Sequence, residues 1–351
     1  MQTPLPVGIV GITGYTGMEL LRLLLRHPGF ELVAATSRQE EGRRLKDLFP
    51  QFMDQPAAEL EISAPDPKRL AEQCRLVFLA VPHGTAMDMA AQLLDQGLQV
   101  VDFSADFRLR SARVYEEWYA TSHVQKDLLS EAVYGLIETN AQAVKQARLV
   151  ANPGCYPSSV LLGLLPALTR GLIDPDSLII DSKSGTTGAG RTAKMDTLFC
   201  EVYDSFKAYG LGKHRHTPEI EQELGQAAGR ELQVTFSPHL LPINRGILST
   251  MYAELAPRTT EKSLQAAYAD FAREHDWVRL LPPGSLPELK RVRGTMFCDI
   301  GLVVDQRTGR LTVVTAIDNL CRGAAGQALA NANLMTGQPV SAGLALEPLV
   351  P

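Results

Sequence analysis

Two stretches carry residues whose type and spacing can do chemistry. The first is Asn152-Pro-Gly-Cys155-Tyr-Pro157-Ser-Ser159, where a short apolar run meets two turn formers, a cysteine and then the apolar segment 160–168. Pro157 suits the first turn of a helix, where its missing N–H costs nothing, so the pattern predicts a helix over 158–169 with Cys155 at its entrance. At such a position, beside a base, a thiol pKa can fall from about 8.5 toward about 3.5–7.5, and the thiolate is the nucleophile. The N–H groups of that turn would also face an oxyanion formed on a carbonyl attacked by the sulfur. Read alone, a free cysteine is more often a small buried hydrophobe.

The second stretch is Lys213-His214-Arg215-His216-Thr217-Pro218, two histidines and two cations ahead of a Pro-started helix. Imidazole titrates near neutrality, so one of the pair, placed near Cys155, can take the thiol proton and later return it to a developing alkoxide. No third ligand stands at a suitable spacing, so no metal is expected. His27, His123 and His275 are read as structural.

These groups must be held by folded elements, and the start of the chain announces one kind. Val7-Gly-Ile-Val10 is a strand, Gly11-Ile-Thr13-Gly14-Tyr15-Thr16-Gly17 a glycine loop, and 18–27 a helix by its apolar spacing. That order supplies a tight turn, close backbone approach to a pyrophosphate, and N–H groups at a helix start. The second strand, 30–38, ends in Ser37 and Arg38 where an acidic residue would hold a ribose 2′-hydroxyl. A hydroxyl and a guanidinium suit a 2′-phosphate, which favours NADP.

Further strands are expected at 76–81, closed by Pro82-His83-Gly84 beside the cofactor, and at 99–103, followed by Arg108 as a candidate clamp for a substrate carboxylate or phosphate. Residues 39–70 and 109–148 give only mixed connections. Beyond the cysteine, strands at 178–184, 234–237, 247–255, 297–304 and 311–317, a glycine-rich loop at 185–191 and a helix at 261–274 predict an antiparallel sheet of the kind that forms a subunit interface. A small-residue helix, 318–335, is expected to return to the first domain. The fold class is therefore α/β: a Rossmann-type dinucleotide-binding domain (1–150), an α+β catalytic and dimerisation domain with a mostly antiparallel sheet (151–317), and a returning C-terminal helix and tail (318–351).

Size and composition agree. A chain of 351 residues exceeds one ordinary core. Its 45% apolar and 21% charged residues describe an ordinary globular protein. Cysteines at 74, 155, 200, 298 and 321 are odd in number and form no CxxC pair, against both a disulfide framework and a zinc site. A net charge of −5 argues against nucleic acid as the partner. No targeting segment or membrane-length apolar run is seen, so a cytoplasmic protein is expected.

Taken in order, Gly11–Gly17, Thr36-Ser37-Arg38, Val81-Pro-His-Gly84, Ser104–Arg108, Asn152–Pro157, Ser184–Arg191, His214–Ile220, Arg245-Gly-Ile-Leu248 and Ala316-Ile-Asp-Asn319 resemble the type 1 N-acetyl-gamma-glutamyl-phosphate reductase family of arginine biosynthesis. More distantly they are similar to the aspartate-semialdehyde dehydrogenases. The resemblance implies reduction of N-acetyl-gamma-glutamyl phosphate by NADPH through a thioester on Cys155, with His214 as acid and base and His216 as a substrate contact. It implies NADP at the first glycine loop, with Gly188, Ala189, Gly190 and Asn319 toward the nicotinamide. Arg108, Arg215 and Arg245 are candidates for holding the anionic substrate. A homodimer or homotetramer is expected. Two other readings stand beside this one: the same chemistry on aspartyl phosphate or carrier-bound aminoadipyl phosphate, and a dinucleotide-binding sensor without catalysis.

Overall fold

The computed structural model describes residues 3–349, which divide into two compact units. One holds the described residues up to Pro153 together with Ala324–Ala345; the other holds Gly154–Gly323 and the described residues from Leu346.

The first unit is built on a six-stranded parallel sheet: β1 (Leu5–Val10), β2 (Phe30–Thr36), β3 (Leu76–Leu79), β4 (Gln99–Asp102), β5 (Val133–Tyr134) and β6 (Leu149–Ala151), in the order β2-β1-β3-β4-β6-β5. β3 is buried along its whole length, as a parallel strand covered on both faces should be. The chain reverses direction across the sheet between β1 and β3, and such a switch point is where open α/β sheets bind ligands. The glycine loop leaves β1 there and enters the helix Tyr15–Leu24. The helix Gly326–Met335, small-sided and almost wholly buried, also belongs to this unit.

The second unit carries a seven-stranded sheet: β7 (Ile179–Gly185), β8 (Lys207–Ala208), β9 (Thr235–Leu241), β10 (Ile247–Glu254), β11 (Val278–Leu280), β12 (Cys298–Asp305) and β13 (Arg310–Ile317). Its order is β11-β12-β13-β10-β7-β9-β8, parallel only at β11/β12 and β7/β9. The expected α/β class with a mostly antiparallel second sheet is therefore what the chain adopts. The helix Cys155–Leu168 lies across β10 and β13, flanked by helices Thr217–Ala228 and Glu261–Glu274. Its seat is fixed at atomic distances. Ser159 Oγ lies 2.8 Å from both Ser249 Oγ and Thr315 Oγ1, all three buried. A side chain at Gly163 would strike Met251 Cε at 2.3 Å, so the helix sits directly on the sheet.

Several boundaries differ from the sequence reading, among them the domain divisions expected at 150 and 317, which fall after Pro153 and Gly323, and two of the differences bear on the site. The cysteine helix begins at Cys155, because Gly154 is extended and serves as N-cap; Ser158 N–H makes the first intrahelical bond, to Gly154 O at 2.9 Å. Pro157 thus occupies the third helical position, where an N–H would have no partner in any case. The C-terminal α-helix starts at Gly326, after a wider turn at Cys321–Ala325. The Asp318 carboxylate accepts the N–H groups of Leu320 and Cys321, and this local capture holds that stretch as a turn.

Candidate active site

Cys155 stands at the first position of a 14-residue helix, and that helix end brings its neighbours together. The backbone N–H of Gly154 is held by the carboxylate of Glu219, 2.8 Å away and 1% exposed. Glu219 lies in the first turn of the Thr217–Ala228 helix, immediately after the histidine pair. One buried contact therefore ties the cysteine turn to the histidine turn. Pro157 has no N–H, and the N–H groups of Cys155 and Tyr156 belong to the same first turn.

Tyr156 is 2% exposed, and its ring meets His214, His216 and Phe236 edge-on at 5.5, 5.9 and 5.3 Å between centroids. Its hydroxyl lies 3.1 Å from Tyr209 Oη. The Tyr209 ring is in turn 5.4 Å from His214. Burial first, and then the Tyr209 hydroxyl, push the Tyr156 phenol above the ordinary tyrosine range; burial pushes Tyr209 up to about 12. Burial, with Arg215 alongside, pushes the His214 imidazole down to about 4. His214 Nδ1 accepts a hydrogen bond from the His216 backbone N–H at 3.1 Å. The structure thus gathers His214, His216, Tyr156 and Tyr209 into one cluster, and Tyr156 is the residue that follows Cys155.

Backbone also crowds the cysteine. A Cβ on Gly323 would come within 2.8 Å of Cys155 Cβ, so that turn must stay bare. Gly185 is equally constrained, its Cβ direction blocked 2.7 Å away by Asn244 O. In the loop that follows, Thr187 Oγ1 accepts from Asn319 Nδ2 at 3.0 Å, and Asn319 Oδ1 accepts from Gly246 N–H at 2.7 Å. Asn319 is thereby tied to the start of the loop that carries Gly188, Ala189 and Gly190.

The candidate arginines divide. Arg215 is exposed beside His214. Arg245 is committed to a bidentate pair with Asp318, Nε to Oδ2 at 2.9 Å and Nη2 to Oδ1 at 2.8 Å, and Asp318 is 0% exposed. Arg108, in the first unit, is 6% exposed and donates through Nε to Asn152 O at 2.8 Å and through Nη2 to Phe103 O at 2.7 Å. Arg108 and Arg245 thus brace backbone and buried carboxylate, a role their sequence positions do not reveal.

In the first unit the glycine loop fits a dinucleotide. Gly11 has φ +92°, and a Cβ there would lie 2.3 Å from Ala80 O. A Cβ on Gly17 would lie 2.5 Å from Gly11 O. Gly14, the N-cap of the Tyr15–Leu24 helix, has no neighbour nearer its Cβ position than 3.8 Å, so a phosphate can approach the helix N–H groups over it. Thr13, Tyr15 and Thr16 are half-buried in the same loop, Ser37 is buried at the end of β2, Arg38 is exposed after it, and Pro82 is exposed after β3. Among the described residues no cluster of three or more histidine, cysteine or carboxylate side chains could hold a metal ion. No helix there is long and apolar enough to cross a membrane.

Sequence reasoning missed Glu219, Tyr209, Asp318 and Gly323. Glu219 and Gly323 read as ordinary helix and loop residues, and only their placement against the cysteine turn gives them a role. His27 and His123 are structural, as expected: His27 stacks on Phe30 at 4.2 Å and hydrogen-bonds Asn333, and His123 is buried against Tyr115.

Comparison with known proteins agrees with this arrangement. Residues 6–147 match the family profile "Semialdehyde dehydrogenase, NAD binding domain" and residues 155–319 match "Semialdehyde dehydrogenase, dimerisation domain". The chain is 52% identical over 346 residues to an N-acetyl-gamma-glutamyl-phosphate reductase of Desulfotalea psychrophila, covering 98% of this chain and 99% of that one. It is 50% identical over 347 residues to the protein of that name from Pelotomaculum thermopropionicum, again covering 98% and 99%. Among solved structures, aspartate semialdehyde dehydrogenase II of Vibrio cholerae matches with a TM-score of 0.73 at 15% identity, over 96% of this chain and 99% of that one. Aspartate semialdehyde dehydrogenase with NADP from Candida albicans matches at 0.68 and 17% identity, over 96% and 100%; both likenesses concern the fold. The chain belongs to the N-acetyl-gamma-glutamyl-phosphate reductase family of semialdehyde dehydrogenases.

Proposed function

We propose that this protein reduces N-acetyl-gamma-glutamyl phosphate to N-acetyl-L-glutamate 5-semialdehyde with release of phosphate, a step of arginine biosynthesis, and that Cys155 carries the acyl group between the two half-reactions. The observation that carries the reading is the Cys155 and histidine cluster in a chain half identical, over nearly its whole length, to reductases of that name.

The Cys155 thiolate attacks the acyl carbon, a C–S bond forms, and phosphate departs with the electron pair of the broken C–O bond. First-turn N–H groups of the Cys155 helix would face the carbonyl oxygen as it gains charge, and removal of one such donor typically costs on the order of 10²–10³ in rate. Of the two imidazoles, His214 serves as acid and base, taking the Cys155 thiol proton and later returning it, and His216 contacts substrate. Arg215 offers the acyl phosphate an exposed cation. Arg108 and Arg245 act by holding the turn at Asn152 and the buried Asp318. A nicotinamide dinucleotide, when bound, would supply the hydride for the thioester carbon; the C–S bond then breaks, its electron pair returns to the Cys155 sulfur, and the semialdehyde leaves.

The loop 11–17 would hold the pyrophosphate, Pro82 would line the same pocket, and Gly188, Ala189, Gly190 and Asn319 would contact the nicotinamide. NADP is favoured over NAD by Ser37 and Arg38 at the end of β2, where no carboxylate stands. The protein works as a homo-oligomer: Ile179, Asp181, Lys183, Thr250, Tyr252 and Val303 leave one face of the second sheet without the helices that cover the other, and the matched family is named for dimerisation there. A cytoplasmic location accompanies such a reaction.

Assay of N-acetylglutamate, aspartate and aminoadipate semialdehydes with NADP and phosphate tests the substrate. Turnover of the acetylated compound alone is expected; preference for aspartate semialdehyde would overturn the assignment.

A further inference from the structure

Two helices of the first unit begin at the carboxyl ends of the strands that flank the switch point, and their N-termini differ. The helix Tyr15–Leu24, after β1, starts at Gly14 with no side chain capping it. The helix Ala86–Asp95, after β3, starts at Thr85, whose hydroxyl turns back to Pro82 O and makes no cap either. That second helix end is filled from the loop after β4. The carboxylate of Asp106, 0% exposed, accepts Gly84 N–H at 2.8 Å on Oδ1 and 3.0 Å on Oδ2, and Ala86 N–H at 3.1 Å on Oδ2. An anion at this place meets the unpaired donors and the positive end of the helix dipole.

Asp106 is itself held on several sides. Ser104 Oγ accepts the Asp106 N–H at 3.0 Å and donates to Asp102 Oδ2 at 2.7 Å, at the end of β4. The buried Tyr115, on the helix Ala112–Tyr119, donates its hydroxyl to Asp106 Oδ1 at 2.7 Å, and His123 Nε2 donates to Asp106 O at 2.6 Å. The two loops are joined once more where Ala105 N–H donates to His83 Nδ1 at 2.9 Å.

The turn that Asp106 grips, Pro82–Gly84, continues directly from Ala80 and Val81, and the glycine loop rests on those two residues. Ala80 N–H donates to Val10 O at 2.8 Å, and a Cβ on Gly11 would lie 2.3 Å from Ala80 O and 3.5 Å from Val81 Cγ1. The loops after β1 and β3 thus run side by side at the crevice where an open α/β sheet takes its ligand.

We propose that Asp106 is a positioning residue of the dinucleotide pocket: its carboxylate sets the Pro82–Gly84 turn against the glycine loop and occupies the N-terminus of the helix Ala86–Asp95, so that the helix end at Gly14 is the one left to receive the pyrophosphate. This deepens the function proposed above and rests on the dinucleotide reading of the glycine loop. Helix N-termini draw phosphate, and two of them open toward one crevice. An internal carboxylate at the second answers its donors from within the protein and repels a phosphate that strays there. Without it, the turn loses the contacts at Gly84 and Ala86 that define its course.

The test measures NADPH binding to the full-length protein by titration calorimetry in the wild type, Asp106→Ala, Asp106→Asn and Asp66→Ala. Asp66 caps another helix of the same unit, Pro67–Gln73, accepting Lys68 N–H at 2.9 Å, so its removal reports what loss of a helix cap does by itself. Asp106→Ala should raise the Kd for NADPH by at least about 10-fold, the scale of a lost hydrogen bond to a charged group, and Asp106→Asn, which keeps one acceptor, by about 3- to 10-fold. Asp66→Ala should lower the melting temperature and leave that Kd as it is. Acylation of Cys155 by N-acetyl-gamma-glutamyl phosphate without dinucleotide, followed by peptide mass, should slow far less in the Asp106 variants than NADPH binding weakens, which confines the loss to the dinucleotide step. A wild-type Kd in both Asp106 variants would overturn the proposal, and so would an equal weakening in Asp66→Ala, which would make Asp106 a general support of the fold. If thermal unfolding shows that Asp106→Ala does not fold, the asparagine variant decides. A wild-type protein that binds no NADPH would overturn the dinucleotide reading itself, so the two failures are distinguishable.

Discussion

The buried carboxylate of Glu219 accepts the backbone N–H of Gly154, the residue before Cys155, at 2.8 Å. Because Glu219 follows the histidine pair by three residues, this single bond sets the distance between the two turns that carry the chemistry. Glu219→Ala leaves a buried donor unsatisfied, at a cost of about 1–3 kcal/mol, and frees the cysteine turn. A lower melting temperature and a kcat reduced more than KM is altered are expected, with Glu219→Gln, whose carbonyl can accept the same N–H, recovering most of both. Equal damage from the two variants would show that the acceptor is not what matters.

Gly323 offers a second handle on the same turn. Alanine there would press on Cys155 Cβ at 2.8 Å and Cα at 3.1 Å, and overpacking of this kind typically costs about 1–3 kcal/mol. Gly323→Ala should slow alkylation of Cys155 and depress kcat together, while exposed Cys200 reacts as before. Unchanged Cys155 reactivity would mean that the backbone yields at no cost.

Arg245 separates a brace from a substrate contact. Its pair with the fully buried Asp318 predicts that Arg245→Met, by leaving that carboxylate with backbone N–H donors but no cation, destabilises the fold by up to about 3–5 kcal/mol. Thermal unfolding measures this. A raised KM with an unchanged melting temperature would return Arg245 to the substrate.

Cofactor choice turns on Arg38. Hydrogen bonds to charged groups contribute about 1.5–3 kcal/mol, so Arg38→Leu should lower kcat/KM for NADPH by roughly 10- to 150-fold and leave NADH nearly untouched. Equal losses with both dinucleotides would remove the guanidinium from the 2′-phosphate.

Asp102, at the end of β4, gives a pH signature in the first unit. Burial first, then the neighbouring Asp106, push its carboxyl up to about 7. A raised folded-state pKa means that this group's contribution is fully present below the unfolded value near 3.8 and is lost as pH rises through about 7. Asp102→Asn should therefore gain in melting temperature relative to the wild type between pH 5 and pH 8. A constant difference across that range would contradict the shift.

Much of the fold was legible because its signals are local. The glycine loop after β1 and the helix 261–274 follow from spacing alone, and the latter was placed at its observed ends. β5 and β8 were not legible, since two residues show no period. Cys155 and the histidine pair could be picked out by residue type. The partners that hold them could not: Glu219 lies 65 positions from Gly154, and Asp318 73 from Arg245, so their roles arise only when the chain is folded. The arginines are ambiguous for the same reason, because a guanidinium that binds a carbonyl and one that binds a substrate look alike in sequence.

The central claim is a covalent acyl group on one sulfur. The full-length protein, incubated with N-acetyl-gamma-glutamyl phosphate without reduced dinucleotide, quenched in acid and digested, should yield an N-acetylglutamyl adduct on the peptide containing Cys155 and none in Cys155→Ser. An enzyme that turns over with NADPH yet forms no adduct there, or whose Cys155→Ser variant keeps its activity, would contradict it.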